Sequence, residues 1–253
     1  MRPVWQLVVW PLLLVSALVP RAWSHADLEL QIEELTLQLQ GQPDNVELLL
    51  KRGDLQRRHE SPALARADFK RVREIQQDND TVDWYEGRLE VELGRAESGV
   101  KYLDQFLSAN PDHGIALQNR ARGYLLLHQP LLAARDYRHV IQVSDRPTPT
   151  LYSANALALV EAGPEYFSPA MDIVSAGLER FPGEVSLTGL GTDISLAIAD
   201  TGSAQELINT LPAPILDLPQ WKARVSLLAC ELGQPGSSVD NCKTTALENL
   251  QSQ

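Results

Sequence analysis

Positive charge is scarce in this sequence: 22 Lys and Arg stand against 33 Asp and Glu, a formal net charge of −11. Nucleic acid and anionic lipid both require clustered Lys and Arg, so neither is an expected partner. Catalytic signatures are missing as well. The five histidines, His25, His59, His113, His128 and His139, show no HExxH or comparable ligand spacing. No G-x-S-x-G elbow occurs, and Gly189-Leu190-Gly191 lacks the strand that a phosphate-binding loop needs. Acidic pairs such as Glu33-Glu34 and Glu90 with Glu92 read as solvated helix faces. The expectation is a protein that is not an enzyme and uses no cofactor and no metal. Strand-type alternation is absent too, which excludes a sheet and leaves helices.

One apolar run does occur, at residues 7–19, after a positive start at Arg2. It is well short of the ~20 residues that span a bilayer, and its length suits the core of a signal peptide. Pro20-Arg21 then break the helix, and Ser24-His25-Ala26 puts small residues at the −3 and −1 positions of a cleavage site. A cut after Ala26 starts the mature chain at Asp27; a second candidate lies after Ser24. Loss of Arg2 and Arg21 without any acid takes the net charge from −11 to −13. No cysteine follows the run, which argues against a bacterial lipoprotein anchor, and no membrane span is expected in the mature chain. The alternative is an uncleaved N-terminal tether. Export places the protein in the periplasm of a bacterium, or outside the cell in another source.

From residue 27 onward, apolar residues recur at helical spacing in blocks separated by Gly, Pro, Asn and Asp. The blocks pair, and the pairs repeat with a period of 34 residues. One series runs Gly53, Gly87, Ala121 and Asn155, small in three of its four places. A second runs Ala65, Gly99, Ala133 and, after a three-residue insertion, Ala170. A third follows four positions on, with Phe69, Leu103, Tyr137 and Val174, and a fourth holds Gln77, Pro111, Asp145 and Pro182. The insertion belongs in residues 163–169, where one glycine and two prolines demand a loop. Each unit is then a pair of antiparallel helices. Small residues let the two approach, the bulky residue fills the space between units, and proline ends the second helix.

These four series resemble the tetratricopeptide repeat (TPR) family, whose unit of 34 residues has a small residue at position 8, alanine at 20, a large apolar residue at 24 and proline at 32. Units begin near Val46, Asp80, Gly114 and Thr148, with degenerate ones near Val185 and Pro219. The best match spans residues 114–147, with Ala121, Tyr124, Ala133 and Tyr137; the family's aromatic at position 4 is replaced by Leu49, Asp83, Leu117 and Leu151. The resemblance implies an all-α, right-handed superhelical solenoid of five to six repeats, counting degenerate ends. The expected organisation is a signal peptide at 1–26 and a repeat domain at 27–253. Within that domain, 27–45 is a capping helix, 46–184 holds four full repeats, and 185–253 holds degenerate repeats and a C-terminal cap.

Both ends read as caps. Leu28, Ile32, Leu35 and Leu39 share one face of the first helix, and Pro43, 34 before Gln77, makes that helix the second half of an incomplete unit. At the other end, a helix over 219–232 and a short amphipathic helix over 239–250 flank a turn. Cys230 and Cys242, 12 positions apart, suit a disulfide that staples them in an oxidising compartment. Two free thiols are the alternative.

The resemblance also implies a concave wall made by the first helix of each pair. The wall positions carry Lys51, Asp54 and Arg58, then Trp84, Tyr85 and Arg88, then Gln118, Asn119, Arg122 and Tyr152. Arg88 and Arg122, 34 apart beside two aromatic residues, suit an acidic or C-terminal segment of a partner protein. The competing assignment pairs these arginines with Glu92, Asp54 or neighbouring acids and puts Trp84 in the core. Residues Tyr152, Ala156 and Leu159 give the fourth unit a more apolar wall, suited to a partner helix. The function expected is an exported scaffold or adaptor that holds a protein segment. The alternative is an accessory subunit or assembly factor of an envelope enzyme complex.

Overall fold

The computed structural model describes residues 19–233, with side chains from residue 27 onward; the apolar run, Cys242 and the helix expected over 239–250 lie outside the described residues. Within them the chain is all helical. A leading helix, α1 (Val19–Gly41), precedes four pairs: α2 (Val46–Arg58) with α3 (Pro62–Ile75), α4 (Asp80–Glu92) with α5 (Ala96–Ala109), α6 (Gly114–Leu126) with α7 (Pro130–Val143), and α8 (Pro149–Ala162) with α9 (Phe167–Arg180). A fifth pair, α10 (Val185–Ala197) with α11 (Thr201–Asn209), is followed by a short α12 (Ala213–Leu216) and by α13 (Pro219–Glu231). Each of the paired helices packs on the next, and the first helices also pack on one another, α2 on α4, α4 on α6 and α8 on α10. This is the stacked arrangement of a repeat solenoid.

The residue series explain the packing. Ala65, Ala133 and Ala170 are fully buried, Gly99 is buried between helices, and Phe69, Leu103 and Val174 are fully buried. A Cβ on Gly99 would sit 2.5 Å from Val91 Cγ2 and 2.9 Å from the carbonyl oxygen of Gly87, so α4 and α5 touch backbone to backbone. The bulky series differs from expectation. Phe69 and Leu103 fill the space within their own pair, where a side chain on Gly53 or Gly87 would run into them. Phe69 also reaches the next unit, its ring 5.7 Å from that of Tyr85.

A fifth series appears at the helix starts. Asn45, Asn79 and His113, each 34 apart, accept a hydrogen bond from the backbone N–H three residues on, at 3.2, 3.2 and 3.1 Å. These N-caps satisfy donors that a helix leaves open. Charge pairs follow the period at double spacing: Arg52 grips Asp68 and, 68 residues later, Arg120 grips Asp136, each through two hydrogen bonds. The unit between inverts the sign. There Glu86 is held by Arg73 of the preceding unit, whose guanidinium lies 5.3 Å from the centre of the Tyr102 ring.

At the N-terminus, α1 is described from Val19, so Pro20 and Arg21 stand inside helix rather than breaking it. Leu39 is buried and Leu28, Ile32 and Leu35 are half-buried, the shared face expected. The insertion forms a 3-10 turn, Pro164–Tyr166, entered through Gly163 at φ 134°, a conformation open to glycine. At the far end, residues 187–196 of α10 are all buried, because α8, α9, α11 and α13 pack around that helix. Ala204 and Ile208 hold the second-helix core positions of the fifth unit, and both are buried.

Candidate partner-binding groove

The wall is built from α2, α4 and α6, whose matching positions are stacked by the period. At its N-terminal end Lys51 is exposed and donates to Glu47 at 2.7 Å. Beside it a compact cluster joins α2 to α4. Arg57 donates from Nε to Asp54 at 2.9 Å and from Nη1 to both Glu92 oxygens at 2.8 and 2.6 Å. Arg88 completes the cluster, 3.5 Å from Asp54 and 3.4 Å from Glu92. Two cations and two carboxylates neutralise one another here. Arg88 is therefore committed inside the protein, the competing assignment of the sequence reading.

Arg122 is different, and the register says why. The partners of Arg88 stand 34 positions before it and four after it. For Arg122 those places hold Arg88 and Leu126. Arg122 is exposed and forms no ion pair among the described residues. Arg58, at the end of α2, is likewise exposed and unpaired among them.

The aromatic residues divide. Trp84 packs into a cluster, its ring centre 4.7 Å from Tyr85, 6.0 Å from Phe106 and 4.9 Å from His113. Its indole N–H is buried without a hydrogen-bond partner, so Trp84 serves the core more than the wall. Tyr85 keeps one side open. Burial and the Asp54 carboxylate push its phenol pKa up, against the cations Arg88, Lys51 and Arg57, so it presents a neutral hydroxyl. Asn119 and Tyr152 are buried, 5% and 6% exposed. Tyr152 lies edge-on to Phe181 and covers Gly177. Ala156 and Leu159 are buried as well, which corrects the apolar docking wall expected of the fourth unit: these side chains are core. Beyond them the fifth unit's wall position, Asp193, is 1% exposed and gripped by Arg224. The open wall thus runs from α1 to α6.

A cleft of about 350 Å3 opens at its start. Lys51, Asp54 and Leu55 of α2 line it with Tyr85 of α4, and α1 adds Gln31, Glu34 and Leu35. The α1 contribution was missed at the sequence level, although the Pro43 spacing already made α1 the second helix of an incomplete unit, and it packs on α2. The chemistry on offer is recognition: hydrogen bonds, aromatic contact and two unpaired guanidinium groups. Among the described residues, no group of three His, Cys, Asp or Glu is placed to hold a metal. No helix among them is long and apolar enough to cross a membrane.

Helix pairs of this length, stacked at this period with small residues at the crossings, define the solenoid fold of tetratricopeptide repeat proteins. Solved structures share it. PilF of Pseudomonas aeruginosa aligns with a TM-score of 0.61 at 14% identity, over 81% of this chain and 91% of that one. YrrB, described as a TPR protein with an unusual peptide-binding site, aligns at 0.59 with 14% identity, over 71% and 91%. A tetratricopeptide repeat protein from Parabacteroides merdae aligns at 0.56 with 19% identity, over 94% and 98%. No protein-family model matches the sequence, and no curated protein does.

Proposed function

We propose that this protein is an exported, non-catalytic scaffold that holds an acidic segment of a partner protein against the wall formed by α1, α2, α4 and α6. The observation that carries this reading is Arg122, a wall cation left exposed because both of its register partners are the wrong residues. Arg58 and the cleft beside Tyr85 extend the same surface. A guanidinium free of internal carboxylates is available for bidentate pairing with one from outside. The peptide-binding site described for YrrB is a precedent for this fold holding peptides.

The test replaces the free cations and spares Arg88, whose reversal would set a third acid beside Asp54 and Glu92. Arg58→Glu with Arg122→Glu is expected to leave helicity and the unfolding midpoint nearly unchanged, since exposed substitutions stay within roughly 0.5 kcal/mol each. It is expected to lose partners captured by crosslinking in the native compartment. Survival of every captured partner would remove the groove from consideration.

Export belongs to the same proposal, with a cut after Ala26, in the periplasm if the source is bacterial. The second reading is a tethered assembly factor, in which residues 19–26 stay part of one continuous helix with the rest of α1. Intact mass of the purified native protein separates the two. An N-terminus at Asp27 is expected; one at Met1 establishes the tether. The same measurement tests the Cys230–Cys242 staple. Reduction is expected to add the mass of two hydrogens.

A further inference from the structure

The helices that open the units stop in register, with one exception. Arg58, Glu92, Leu126 and Ala197, the last residues of α2, α4, α6 and α10, all occupy the thirteenth position of their units. α8 runs on past Val160 to Ala162. The three-residue insertion permits this, because Gly163 and the 3-10 turn postpone α9 to Phe167.

The two overrun residues, Glu161 and Ala162, form one wall of a cleft of about 690 Å3. Across it stand His128 and Gln129 of the preceding unit's turn and the start of α7, with Pro130, Leu131 and Leu132. Leu131 is 44% exposed. Water meets apolar side chains here, where the three-residue insertion breaks the period. Glu161 is exposed at the rim and forms no ion pair among the described residues.

We propose that this cleft is a second docking site, for a short partner segment that inserts a large apolar side chain beside Leu131 and pairs a lysine or arginine with Glu161. Charge complementarity selects that occupant. The rim offers a lone carboxylate on a chain of net charge −11, whereas the concave wall offers unpaired arginines. Apolar burial supplies affinity and the carboxylate supplies the preference for a basic neighbour. The two sites therefore select opposite charge, and this inference stands independently of the groove.

The probe is a short labelled peptide with a central Leu-Phe pair flanked by lysines, followed by fluorescence anisotropy, with a glutamate-flanked counterpart. Wild type is expected to bind the lysine peptide in preference to its counterpart. Leu131→Asp with Glu161→Lys is expected to weaken that binding at least about tenfold, and Leu131→Ser, a milder change at an exposed position, to weaken it in the same direction. Arg122→Glu is expected to leave it unchanged. Equal binding of both peptides, or binding unaffected by the cleft variants, overturns the proposal. So does sedimentation showing a wild-type dimer that Leu131→Ser dissociates, since the occupant is then a second copy of this chain.

Discussion

Replacing Arg120 with leucine is expected to cost about 3–5 kcal/mol of folding stability, read as a fall in the urea midpoint. Arg120 donates to both oxygens of Asp136, at 2.7 and 2.9 Å, and to Asp104 at 2.8 Å. Burial works against its charge, and the bonds to Asp136 prevail, so its pKa is raised above the ordinary arginine value. The Asp136 side chain is only 2% exposed. Without Arg120 its nearest cation is Arg135, at 3.8 Å and itself largely solvated. A carboxylate desolvated without adequate pairing costs several kcal/mol, whereas two well-packed apolar residues in place of the pair cost little. The double change Arg120→Leu with Asp136→Leu is therefore expected to recover most of the loss. If the double variant is no more stable than Arg120→Leu, the loss came from packing and the electrostatic account fails.

Phe69→Ala is the second large effect, at about 3–5 kcal/mol in the same assay. The ring is fully buried, lies against Gly53 in its own pair and touches Tyr85 in the next. Truncation leaves a cavity between helices that cannot close, because the small residue facing it has no atoms to fill it. Phe69→Leu, nearer in volume, is expected to cost under about 1.5 kcal/mol. Globular domains hold only about 5–15 kcal/mol in total, so Phe69→Ala alone threatens the first unit. Comparable losses for alanine and leucine would show that ring contact with Tyr85, rather than volume, is what matters.

Phe69 also shows why the fold was legible. Backbones that touch, as at Gly87 and Gly99, admit no alternative residue types, so packing writes the period into the chain. The site was less legible for two physical reasons. A position on a helix says which way a side chain starts, but not what covers it; Tyr152 and Asn119 start toward the wall and end in the core. Pairing also needs two registers at once. Arg88 finds Asp54 one repeat back and Glu92 one turn ahead, and only both comparisons together separate it from Arg122. The overrun of α8 was invisible because residues 163–169 can absorb three extra residues in several ways.

Among the described residues, most buried apolar side chains fall into three clusters, and their boundaries lie inside helices: Leu89 and Val91 of α4 belong to different clusters, as do Ile194 and Leu196 of α10. Each of these helices is a shared wall, with one core on either side. Across α4 the two cores are bound by ion pairs from the first unit: Arg57 with Glu92, Arg66 with Glu90 and Arg73 with Glu86. α4 also carries Tyr85, so the helix that joins two cores is the one that presents the aromatic side of the proposed groove.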